Sequence, residues 1–214
     1  MKKICFFTGS RSEYHLSKNL IKQFLKSKNF NTKLIVSGSH LSKKFGNTIS
    51  DILADKINPS FLIKINDKLN SASEISGSLS LILKKSNLFL QKNKPDLMFL
   101  VGDRYETFCI GLSCLILNIP IAHIHGGELT EGSYDDNLRH ALTKFSHFHF
   151  VSNNIFKKRV IQLGEQPKNV FVVGGLGVDN IKKTKLLSKK ILIKKFKLKK
   201  INFLVTFHPS TLEV

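Results

Sequence analysis

The sequence predicts an α/β fold whose parallel sheet is covered by helices on both faces. Short apolar runs alternate with amphipathic helical stretches along nearly the whole chain. Most of those runs close on glycine or a small polar residue, as at Gly9, Gly38, Gly102 and Gly174. The runs are also continuously apolar rather than alternating, the pattern of strands buried on two faces.

Each element has its own signal. Ile4 to Thr8 reads as a strand, and Ser12 to Lys26 follows with Leu16, Leu20, Ile21, Phe24 and Leu25 at helical spacing. Thr32 to Ser37 is a second strand and Phe45 to Ala54 a helix, with Pro59 closing the region. Phe61 to Ile65 is a third strand, and Ser73 to Lys92 a long helix with an apolar stripe of Ile75, Leu79, Ile82, Leu83 and Leu90. Asp96 to Val101 is the fourth strand, and Tyr105 to Leu117 an almost wholly apolar helix that must be buried on several sides. Pro120 to Ile124, Phe148 to Val151 and Val170 to Val173 are further strands, separated by helices at Asp135 to Lys144 and Ile155 to Leu163. Strands joined by helices demand right-handed crossovers, hence a Rossmann-like sheet with its ligand site at the carboxyl ends of the strands. Ile201 to Phe207 has the pattern of one more strand, read here as the opening of a second α/β unit. The expected organisation is therefore 1–185 as one unit and 186–214 as a basic linker leading into another.

Composition narrows the class. The 214 residues are 42% hydrophobic and 23% charged, which excludes a mostly disordered chain. Three cysteines, Cys5, Cys109 and Cys114, stand in apolar settings and read as buried thiols, not a disulfide framework. No stretch approaches the roughly 20 apolar residues of a membrane span, and the apolar run after Lys3 is too short for a secretion signal. A cytoplasmic location without a membrane partner is the expectation. The net charge of +19 suggests a polyanion partner, but ten of the excess lysines fall between Lys182 and Lys200, and removing those ten charges leaves +9. Arginine, the preferred group for bidentate recognition of bases and phosphates, is scarce, so nucleic acid is not expected as a partner.

Polar groups gather just after the strands. The first loop is Thr8-Gly9-Ser10-Arg11-Ser12-Glu13, where a helix N-terminus and Arg11 suit a phosphate, or where an ordinary turn carries a surface arginine. It is neither a G-K-[ST] loop nor a G-x-G-x-x-G fingerprint. The fourth strand ends at Gly102-Asp103-Arg104. Asp103 there serves as base or sugar ligand, or only as a helix cap. The fifth ends in His123-Ile124-His125-Gly126-Gly127-Glu128; strand alternation puts His123 and His125 on one face, as a ligand pair or as one structural histidine. Asp135 and Asp136 then open a helix, with Arg139 and His140 one turn onward. Adjacent carboxylates are favoured by the helix dipole and also split their pKa values for acid–base work. Gly174 to Gly177 reads as a tight strand-to-helix turn.

As an ordered set, these motifs resemble the hydrolysing UDP-N-acetylglucosamine 2-epimerases of sialic acid and related nonulosonate synthesis. The residues concerned are Gly9 to Glu13, Gly38-Ser39-His40, Phe45 to Thr48, Gly102 to Glu106, His123 to Glu128, Asp135-Asp136 with Arg139-His140, Leu163-Gly164-Glu165 and His208-Pro209. The resemblance implies the first half of a two-domain fold of the glycosyltransferase-B type. It implies loss of the C2 proton as the nucleoside diphosphate leaves C1, giving a glycal, then addition of water to release N-acetylmannosamine. No cofactor and no metal are expected; a nucleotide sugar is the expected partner, in a homo-oligomer. By resemblance Asp103, His125, Asp135, Asp136 and His208 are the acid–base and sugar-binding group. Arg11, His40, Arg104, Glu128 and Arg139 are the substrate-binding group. Where this chain has His125, some members have a glutamate assigned to catalysis. A glycosyltransferase of the same fold and a basic α/β module for an anionic partner are the competing readings.

Overall fold

The computed structural model describes residues 1–66 and 71–206. Its strands are β1 (Lys2–Thr8), β2 (Phe30–Ser37), β3 (Phe61–Ile63), β4 (Leu97–Val101), β5 (Ile121–Ile124), β6 (Phe148–Val151) and β7 (Val170–Val172). They form one parallel sheet in the order β3-β2-β1-β4-β5-β6-β7. The helices are α1 (Arg11–Lys26), α2 (Ile49–Ala54), α3 (Ala72–Lys92), α4 (Tyr105–Ile116), α5 (Asp135–Phe145), α6 (Asn154–Gln162), α7 (Leu176–Lys183) and α8 (Lys189–Phe196). The expected α/β fold is the observed one.

Alternation along each strand divides the core in two. Ile4 and Phe6 of β1, Leu34 and Val36 of β2, and Phe99 and Val101 of β4 face Tyr14 and Ile21 of α1 and Ile52 of α2. Cys5, Phe7, Ile35, Met98 and Leu100 face the other way, onto Ile82 and Leu90 of α3, Ile110 and Cys114 of α4, and Leu142 of α5. All three cysteines are free and buried. Under α1 the Phe6 ring stacks on Phe99 at 4.8 Å, and Phe24 meets both edge-on or tilted at 5.4 Å. Such pairs add about 0.5–1.5 kcal/mol each beyond the area they bury.

The order of strands positions the site. Windings to β2 and β3 run one way from β1, and those to β5, β6 and β7 run the other way from β4. The loops after β1 and β4 therefore diverge to opposite faces, leaving a crevice at the carboxyl ends of these neighbours.

Beyond shifts of a residue or two at element ends and the helix α8 within the expected basic linker, the outcome differs from expectation in three places. The helix expected over 45–54 is confined to Ile49–Ala54, because Gly46 and Asn47 both take positive φ and the preceding chain makes a short 3₁₀ turn at Gly38–Leu41. The third strand ends at Ile63, not Ile65. Residues 201–206 form no strand, and Phe203 and Leu204 are 88% and 97% exposed. A strand persists only where a neighbour takes its backbone hydrogen bonds, and neither edge of this sheet pairs with that segment. Among the described residues no helix is long and apolar enough to cross a membrane.

Candidate active site

The crevice holds two adjoining hollows that share Ser12 and Arg104. The larger, about 730 Å³, is lined by Arg11, His15, Phe45, Thr48, Tyr105, Glu106 and Tyr134 among others. The smaller, about 330 Å³, is lined by Glu13, Gly102, Asp103, His125, Glu128, Asp135 and Arg139.

The loop after β1 is set by a capping box. Ser10 caps α1 by accepting from the Glu13 N–H, while Glu13 reaches back to the cap. The Glu13 carboxylate accepts from Gly9 N at 2.7 Å and Ser10 N at 2.9 Å through one oxygen, and from Thr107 Oγ1 at 2.9 Å through the other. It thus ties the α1 loop to the first turn of α4. Burial, with the neighbouring Glu106 charge adding to it, pushes this carboxyl up to about 7. Arg104 donates to the buried Glu106 at 3.2 and 3.3 Å. Burial works against the Arg104 charge, but Glu106 and Glu13 more than compensate and raise its pKa. Glu13 and Glu106 were not among the candidate residues, although Ser10-x-x-Glu13 is a legible capping signal.

Asp103 does not cap α4. The cap position is Arg104, without a side-chain bond, and Asp103 instead pairs with Arg139 of α5, which also donates to Thr130 Oγ1 at 2.9 Å. Burial raises the Asp103 pKa; Arg139 offsets part of this and Asp135 adds to it. Arg139 is only 6% exposed, and its Nε and Nη1 have no partner among the described residues.

The two histidines do not share a face. His123 is within β5 and points into the core, its Nε2 against Gly102 O at 2.8 Å; burial drives its pKa down to about 4. His125 lies one residue past the strand with φ 68°, a left-handed conformation that costs a non-glycine residue about 1–3 kcal/mol. That turn breaks the alternation and delivers His125 to the smaller hollow, where Nδ1 meets Glu128 Oε1 at 2.8 Å. Burial opposes ionisation of Glu128, but the His125 contact and the Ser152 hydroxyl at 3.1 Å prevail and lower its pKa.

The remaining candidates are separated. Asp135 lines the hollow, but Asp136, about 100° further round α5, faces His140 at 3.6 Å and is not part of that lining. His40 is fully buried beneath the rim, between Thr8 Oγ1 at 3.0 Å and Thr48 Oγ1 at 2.9 Å, with burial taking its pKa down to about 4. It supports the two loops and is not one of the groups lining either hollow. Arg11 lines the larger one. His208 lies outside the described residues. No group of three or more histidine, cysteine or carboxylate side chains is placed to hold a metal among the described residues.

Comparison with known proteins decides the family. The model of the UDP-N-acetylglucosamine 2-epimerase family matches residues 22–214. The chain belongs to this family. A Campylobacter jejuni member, the GDP/UDP-N,N'-diacetylbacillosamine 2-epimerase (hydrolyzing), is 39% identical to it over 218 residues, covering 100% of this chain and 56% of that protein. Polysialic acid biosynthesis protein P7 of Escherichia coli is 40% identical over 213 residues, covering 99% and 54%. This family member thus spans little more than half the length of those relatives. The fold is that of the Neisseria meningitidis UDP-GlcNAc 2-epimerase bound to UDP-GlcNAc, with TM-score 0.72 and 21% identity over 92% of this chain and 51% of that one.

Proposed function

We propose that this chain is the first half of a hydrolysing nucleotide-sugar 2-epimerase, taking UDP-N-acetylglucosamine or its diacetylated 2,4-diamino relative. Residues 1–185 form the sugar-side domain, and 186–214 lead into the half that completes the cleft. One observation carries the reading: Asp103, His125 and Asp135 meet Arg104 and Arg139 in one hollow at the switch point of the sheet.

The reaction needs three things of the protein. A base takes the C2 proton, cations receive the diphosphate leaving C1, and an acid–base pair adds water across the resulting glycal. The arginines of the rim, Arg11 and Arg104, suit the diphosphate. Asp103, raised by burial, and the His125–Glu128 pair suit proton transfer at the sugar. His208 completes the acid–base group once the second half is in place, while Asp136, turned to His140, stays outside it, and the assembled enzyme is a homo-oligomer. The free sugar released from UDP-N-acetylglucosamine is N-acetylmannosamine, which places the activity in sialic acid or nonulosonate synthesis in the cytoplasm. No redox cofactor enters any of these steps.

The test is titration of the chain with each UDP-sugar, following binding by calorimetry and release of UDP and free sugar by NMR. Saturable binding weakened at least tenfold by Arg104→Ala supports the reading. Absence of saturable binding by either sugar nucleotide, even with the remaining half of a full-length relative added, rejects it. Turnover matching that of a full-length relative rejects the claim that the second half is required.

A further inference from the structure

We propose that Glu128 is a positioning residue: with Ser152 it locks His125, which borders the smaller hollow, in the tautomer whose Nε2 is a bare, enclosed lone pair. The proposal rests on the epimerase reading for the identity of the proton donor, but its geometric half stands without it.

A single oxygen organises the cluster. Glu128 Oε1 is 2.8 Å from His125 Nδ1 and accepts from Ser152 Oγ at 3.1 Å. A carboxylate offers only lone pairs, so Nδ1 must carry the hydrogen. The Ser152 hydroxyl donates to the same oxygen and so reinforces its role as acceptor. Glu128 is held ionised, since its pKa lies below the usual range. In a neutral ring with hydrogen on Nδ1, Nε2 is an acceptor. That atom is buried and has no partner among the described residues. A buried acceptor left open costs about 1–3 kcal/mol, which a ligand's proton would relieve. The fold maintains this arrangement at a further cost. His125 sits at φ 68°, and Gly127, at φ 77°, brings the chain back so that Glu128 faces the ring. A Cβ at Gly127 would lie 2.6 Å from Phe156 O, so no other residue makes this turn without displacing α6.

The chemistry follows the logic by which a carboxylate orients a histidine base. The enclosed Nε2 serves as base once a bound sugar opens the hollow to it: it takes a proton from carbon, the C–H electron pair becomes the new C=C bond, and the diphosphate departs with the pair of the broken C–O bond. The imidazolium formed is stabilised by Glu128 through Nδ1–H. The glutamate therefore acts on the ring, not on the sugar.

The experiment uses the chain with ¹⁵N-labelled histidine and long-range ¹H–¹⁵N spectra at pH 7, with His125 assigned from the signal missing in His125→Gln. His125 is expected as the Nδ1–H tautomer. In Glu128→Ala it should move to the Nε2–H form favoured by free imidazole, and in Ser152→Ala it should move part of the way. Unchanged His40 and His123 signals certify the fold. A wild-type His125 already in the Nε2–H form, or a Glu128→Ala spectrum identical to wild type, overturns the proposal. Addition of UDP-N-acetylglucosamine should then shift the Nε2 resonance. Binding seen by calorimetry with an unmoved Nε2 overturns the ligand-facing half, whereas absence of binding counts against the epimerase reading and leaves the tautomer result to decide this one.

Discussion

Replacing Glu13 by glutamine isolates the electrostatic load of the crevice floor. The wild-type carboxylate is buried and accepts three hydrogen bonds. Glutamine preserves them: its oxygen takes Gly9 N and Ser10 N, and its amide donates to Thr107 Oγ1, whose hydroxyl rotates to accept. Only the charge goes. In the unfolded chain Glu13 loses its proton near 4.5, and in the folded chain near 7. Between these values the folded state binds more protons, so stability falls as pH rises and is constant above the folded value. A shift of that size corresponds to about 3 kcal/mol. Urea unfolding at pH 5, 6, 7 and 8 on both proteins should give Glu13→Gln an advantage of under about 1 kcal/mol at pH 5 that grows to about 3 kcal/mol at pH 8. Taking the difference cancels every other titrating group. Parallel pH profiles, within about 0.5 kcal/mol, would show that the carboxylate is not destabilised where it sits.

Three further outcomes are expected. His40 and His123 should stay neutral in histidine NMR spectra down to about pH 5, since burial takes both to about 4. Their contribution to stability is present above 6.5 and is lost as pH falls towards 4, opposite in sign to that of Glu13; a ring that titrates near 6.5 refutes its burial. Gly38→Ala places a Cβ on the Gly9 carbonyl oxygen at φ +61° and should cost about 2 kcal/mol or more, whereas Gly77→Ala, with open space on α3, should gain about 0.5–1 kcal/mol in the same thermal melts. Leu100→Ala, fully buried in β4, should cost about 3 kcal/mol by urea unfolding; a loss under about 1 kcal/mol would mean that the core there collapses freely.

The alternation of apolar runs and helical stripes, by itself, determined the α/β class, the parallel sheet and the fact that polar groups gather after the strands, because burial on two faces leaves a strand no choice of residue type. The motif order carried the family as well. What the pattern left open were the directions of individual side chains at the strand ends, and these depend on where each strand stops. His123 and His125 read as one face by period two, but β5 ends at Ile124 and a single left-handed residue sends one ring to the core and the other to the hollow. Asp135 and Asp136 are alike in sequence, and only the packing of α5 decides which of them faces Asp103 and which turns to His140. His40 carries no mark of its burial, which follows from the approach of the Gly38 turn to the loop after β1. Residues 201–206 show the converse: a strand pattern is a capacity for pairing, and only a neighbouring strand turns it into structure.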